Sequence, residues 1–151
     1  MKNELLVDPV TERDGLRQGL AELREALLRL HKALMESERA GYEKTFGRIE
    51  SPFQFLQLLT TDPWFAWLRP LSQLIAAMDE TLDAKEPLTA AGVTALAGRT
   101  KSLLVATLDG EGFSRHYDEA LQRDPDVLFA HAETAWCLRT ITTSAGPPAA
   151  A

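Results

Sequence analysis

A single cysteine, Cys137, among 151 residues leaves no partner for an internal disulfide, so an oxidising compartment has left no mark on this chain. Long apolar runs are missing as well. The amino terminus MKNELLVDPVTERD returns to charge after Leu5, Leu6 and Val7, too early for the core of a signal peptide. No stretch approaches the ~20 apolar residues of a membrane-spanning helix. Cytoplasmic residence without membrane association is therefore predicted. An excess of basic charge is also absent. The formal net charge is −6 at pH 7, with lysines and arginines interleaved among acids. That argues against a nucleic-acid partner, because phosphate neutralisation needs clustered cations.

Catalytic signatures are lacking in the same way. The chain contains no glycine-rich phosphate loop, no Gly-x-Ser-x-Gly elbow, no His-Glu-x-x-His and no pair of histidines four apart. Its histidines, His31, His116 and His131, follow Leu28, Phe113 and Leu128 at the position where a diiron carboxylate bundle places glutamate. Asp109-Gly110-Glu111-Gly112 lacks the alternating oxygen ligands and distal glutamate of a calcium loop and reads as a turn. No catalytic residue, metal site or cofactor is predicted.

What the sequence does hold is helix. Hydrophobic and charged fractions of 45% and 25% are those of an ordinary globular protein, and the length suits one domain. The richest apolar segment runs from Asp62 to Leu82. Asp62-Pro63 is a helix start: the carboxylate accepts a first-turn N–H, and proline has none to leave orphaned. Trp64, Leu68, Leu71, Ile75, Met78 and Leu82 then recur at steps of four and three, with Trp67 and Leu74 widening the stripe. Pro70 lies inside this pattern, where it cannot bond the carbonyl of Ala66, so a kink or short break is predicted between Ala66 and Arg69. Either the kink curves a long helix round its core, or the released Ala66 carbonyl and the two indoles line a pocket or partner groove.

Leu16, Leu20, Leu23, Leu27, Leu30 and Leu34 form a leucine seam with Leu28 and Met35 alongside, suited to an intramolecular bundle or to pairing of two chains. Asp8-Pro9 or Thr11 with Asp14 opens this helix, and Gly15 and Gly19 permit close approach near its start. Ser51-Pro52-Phe53-Gln54 is a capping box for a short helix to about Thr60, apolar nearly all round and so expected to lie across the bundle as a plug. Thr89 caps the next helix, with Val93, Leu96, Ala97, Leu103, Leu104 and Leu108 at helical spacing. Phe113, Tyr117, Ala120 and Leu121 make a short helix ending at Asp124-Pro125, the second Asp-Pro start.

Together these predict a single all-α domain over residues 1–141. Its frame is an antiparallel bundle of four principal helices, near Leu16 to Gly41, Pro63 to Leu82, Ala90 to Leu108 and Pro125 to Arg139. Two short helices near Pro52 and Phe113 complete it, and residues 142–151 are expected to form a disordered tail.

Two resemblances accompany this reading. Tyr117 to Asp126, followed by Ala130 to Glu133, is similar to a junction between tetratricopeptide helices. It covers one junction, and no repeat period recurs, so it reduces to Asp-Pro helix chemistry. The phrases SPFQFLQLL, DPWFAWLRPLS and QRDPDVLFAHAE resemble a family of small bacterial all-α proteins with no assigned activity, which implies the fold class and no chemistry. The expected function is a non-catalytic binding or regulatory module that contacts a protein partner or a second copy of itself. The alternative is a small-molecule, metal or cofactor pocket inside the bundle. Candidate contact or pocket residues are Trp64, Trp67, Arg69, Pro70, His31 and His131. His31, between Leu28 and Met35, and His131, beside Val127, Leu128 and Ala135, also suit core histidines, and Cys137 beside Trp136 suits a buried thiol.

Overall fold

The computed structural model describes residues 9–105 and 112–144. These form α1 (Pro9–Phe46), α2 (Pro52–Thr61), a 3-10 segment (Pro63–Leu68), α3 (Arg69–Asp83), α4 (Ala90–Leu103), α5 (Phe113–Arg123) and α6 (Pro125–Ser144). No strand occurs among the described residues, and the protein is all-α.

Local chemistry sets most boundaries. Asp62 Oδ1 accepts the Trp64 N–H at 2.8 Å and Asp124 Oδ1 accepts the Asp126 N–H at 2.9 Å, so both Asp-Pro starts are built alike. Ser51 Oγ accepts from Gln54 N, while the Gln54 side chain reaches back to the N–H of Glu50, one residue earlier than in the usual box. Thr89 Oγ1 caps Gly92 N. α1 begins at Pro9, the first of the two starts that the sequence offers, and so extends beyond the principal helix expected near Leu16 to Gly41. It ends where Gly47, at φ 98°, returns its N–H to the Glu43 carbonyl, a left-handed stop that favours glycine. α4 stops at Leu103, short of Leu108, which lies outside the described residues, as does Asp109-Gly110-Glu111. α6 continues to Ser144, so residues 142–144, expected in a tail, are helical.

α1 is the common wall, packing along α6 and α3 and touching the 3-10 segment and α4. Its leucines Leu20, Leu23, Leu27, Leu30 and Leu34 are fully buried, each burial stabilising by ~2 kcal/mol before entropy. α1 as a whole packs both on the segment from Pro63 to Asp83 and, more extensively, on α6, and Leu28, expected alongside the seam, is exposed. Gly19 makes the expected close approach, a Cβ there lying 3.4 Å from Ile141, whereas Gly15 has nothing near it. Nor is α2 a covered plug: none of its residues is buried, and Phe53 and Leu56 face solvent.

The predicted break occurs between Ala66 and Arg69, and its form differs from expectation. Pro63–Leu68 is wound as a 3-10 helix, which brings residues three apart into line. Phe65 and Leu68 therefore point inward with Leu71, and Phe65, outside the α-periodic stripe, is the deepest aromatic of the segment at 1% exposure. Pro70 falls in the first turn of α3, where its missing N–H costs little. The Ala66 carbonyl is not released, because it accepts the Arg69 N–H.

Candidate functional site

The six sequence candidates do not converge on one site. Trp64 is half-buried and donates its Nε1 H to the Glu38 carbonyl at 3.2 Å. Its ring edge lies so near α1 that a Cβ on Gly41 would stand 3.3 Å from Cζ2, and Tyr42 and Phe46 meet it edge-on. The Glu38 side chain, almost buried, pairs with Arg123 Nη2 at 3.2 Å, and the same guanidinium donates to the buried Ser37 hydroxyl. Trp64 thus belongs to a joint between α1, the 3-10 segment and α5.

Trp67 belongs to a different aromatic ladder. Its ring stacks on the exposed His116 at 5.2 Å between centroids and leans on Phe113, which stacks on Tyr117, whose hydroxyl lies 2.6 Å from His131 Nδ1. Burial pushes the Tyr117 phenol far above the tyrosine range and holds His131 below its ordinary 6.5. The phenol keeps its proton and the imidazole is neutral. Donation from the hydroxyl to Nδ1 is the arrangement that leaves no buried O–H unpaired. The pair is a core hydrogen bond between α5 and α6. The Trp67 indole N–H is buried without an acceptor, alone in this among buried side-chain polar atoms of the described residues.

His31 is half-buried on α1 with Nε2 2.9 Å from Ser72 Oγ on α3, and burial lowers its pKa from 6.5. A serine beside a neutral histidine is half of a nucleophilic pair. No carboxylate hydrogen-bonds this histidine among the described residues, so the orienting third group is missing, and Ser72 Oγ also lies 3.5 Å from the Leu68 carbonyl. Arg69 is exposed and donates to the Thr60 carbonyl at 3.0 Å, tying the end of α2 to the start of α3. Pro70 is exposed at the edge of an open groove of about 460 Å³ lined also by Gln73, Gly98, Arg99 and Ser102. A second open groove of about 690 Å³ is lined by Arg17, Glu22, Glu25, Arg29 and Cys137. The Cys137 thiol is half-buried and its pKa is raised, chiefly by desolvation, which disfavours the reactive thiolate. Neither groove is lined by Trp64, Trp67, His31 or His131. Among the described residues no three His, Cys, Asp or Glu side chains gather as a metal site, and no helix is long and apolar enough to cross a membrane.

Sequence reasoning passed over the outer face of α6. Val127, Ala130, Thr134, Leu138 and Ile141 turn inward, which sends Phe129, Ala132 and Trp136 to the opposite side. Phe129 is 69% exposed, Trp136 66% and Leu128 54%, the last correcting its expected place on the buried face of His131. Arg139 lies over the Trp136 ring at 5.7 Å. The spacing of Val127, Ala130, Thr134 and Leu138 was the available signal, masked because α6 carries large apolar residues on its opposite face as well. Family models, curated proteins and solved structures give no match to the chain.

Proposed function

We propose that this chain is a non-catalytic binding module that works by contact with protein, and that its contact surfaces are the uncovered apolar faces of α6 and α2. The observation that carries this reading is the exposure of Phe129 and Trp136 on one face of α6. Monomeric surfaces rarely leave such large apolar groups together, and aromatics are the residue type enriched at interface hot spots. The polar candidates, by contrast, are committed to internal bonds: His131 to Tyr117, His31 to Ser72, Trp64 to Glu38 and Arg69 to Thr60. An antiparallel bundle of the four longer helices is the frame we infer for these faces. It is supported by α1 meeting α3 and α6, α3 meeting α4, and α4 meeting α6.

The test is capture by the purified, tagged chain, compared among wild type, Phe53→Ser with Leu56→Ser, and Phe129→Ser with Trp136→Ser, each checked for native helicity. One surface pair is expected to abolish capture of a specific protein while the fold persists. If capture is absent, or survives both pairs, the reading falls. The pocket alternative keeps one observation in its favour, the orphaned Trp67 N–H beside His116. A native mass spectrum showing only the apo mass counts against it.

A further inference from the structure

We propose that the open groove between α3 and α4 binds a small organic monocarboxylate, with the carboxylate held by Arg99 and an apolar body lying over Gly98. None of the residues lining this groove belongs to α6 or α2, so the site goes beyond the protein-contact reading and stands or falls without it. The first observation behind it is a glycine that the fold does not need. Gly98 lies in the interior of α4, where glycine weakens a helix relative to alanine. Other helical glycines are explained by crowding: a Cβ at Gly19, Gly41 or Gly92 would stand between 3.1 and 3.4 Å from Ile141, Trp64 or Thr89. At Gly98 it would meet nothing within 4 Å. Gly15 is open as well but lines neither groove. A local rule broken without a packing gain marks a functional position more often than a structural one. What the missing side chain does here is keep open a space of about 460 Å³ over the buried Leu74 and the half-buried Leu103.

The second observation is the sign of the charge. Arg99 lines the groove and has no hydrogen-bond or ion-pair partner among the described residues. In a chain of net charge −6, no carboxylate lines the groove to oppose an anion. Ser102 on α4 and Gln73 on α3 add neutral donors to the same lining. A guanidinium fork matches the two oxygens of a carboxylate. Because a single cation lines the groove, one negative charge is balanced and the several charges of a nucleotide are not. Leu74 and Leu103 then select an apolar body over a polar one.

Amide chemical-shift titration of the purified full chain with sodium octanoate, and in parallel with neutral octanol, reads both affinity and place. Octanoate is expected to give saturable shifts centred on Gln73, Gly98 and Ser102, and octanol to bind there about tenfold more weakly for want of the charge-assisted bond. Arg99→Gln should weaken octanoate by about the same factor and leave octanol unchanged. Gly98→Leu, with native helicity retained, should abolish both; if it loses helicity, Ser102→Leu on the same exposed face takes its place. Absence of saturable shifts in the millimolar range overturns the proposal, and so do shifts centred elsewhere. Equal affinity for octanoate and octanol, or octanoate binding that ignores Arg99→Gln or the blocking leucine, overturns it too.

Discussion

The indole N–H of Trp64 donates to the Glu38 carbonyl at 3.2 Å, whereas that of Trp67, on the next turn of the same 3-10 segment, is buried with no acceptor. A buried unpaired N–H costs roughly 1–3 kcal/mol, and a made bond contributes about 1 kcal/mol. The two tryptophans therefore differ in what a polar deletion does.

Trp64→Phe should be the more destabilising change by at least about 1 kcal/mol, since it removes a made bond, and Trp67→Phe should be near neutral because it deletes the orphan donor. Urea denaturation of both variants checks this. Equal losses would show that ring area, not the N–H, sets both costs. Alanine at either position should cost several kcal/mol, roughly 3–5 for an aromatic that packs on the core.

Stability should depend on pH through His31 and His131. Burial lowers both pKa values below 6.5, so the unfolded chain takes up these protons more readily than the folded one. The histidine contribution is fully present above about pH 6.5 and is lost as pH falls toward each folded value. The urea midpoint should be flat between about pH 7 and 8 and decline from about pH 6.5 to 5, above the carboxylate range. His31→Gln with His131→Gln should flatten that decline; an unchanged slope would assign it elsewhere.

The Arg123 bridge to Ser37 and Glu38 joins α5 to α1. Glu38 is nearly buried while Arg123 is about half exposed, so removing the cation leaves a desolvated carboxylate with partial access to water. Arg123→Met should cost about 1–2 kcal/mol, less than the 3–5 of a fully buried pair. The cost should shrink in a Glu38→Gln background. An additive double mutant would show that the two side chains do not couple.

Glycine substitutions should separate by geometry. Gly98 is exposed inside α4 with open space where a Cβ would stand, so Gly98→Ala should stabilise by ~1 kcal/mol through helix propensity. Gly47→Ala should destabilise by a similar amount, because φ of 98° strains any side chain. Thermal midpoints moving in the same direction would contradict this.

Helix starts and the leucine seam were legible because they are local: Asp62, Ser51, Thr89 and Asp124 each bond an N–H within three residues, and Leu20 to Leu34 repeat at a strict helical period. The candidate residues were legible as residue types, and their companions were not. Pairing of His131 with Tyr117, of His31 with Ser72 and of Trp64 with Glu38 joins positions far apart in the chain, which no local spacing encodes.

By itself, then, the sequence determined where this chain is helical and which face of α1 is apolar. Only the tertiary structure decided the rest. Winding Pro63–Leu68 at three residues per turn put Phe65, rather than either tryptophan, deepest in the core. The neighbours α1 and α4 decided which side of α6 is covered, because a helix with large apolar residues on opposite faces has no single apolar phase of its own. That choice left Phe129 and Trp136 in solvent.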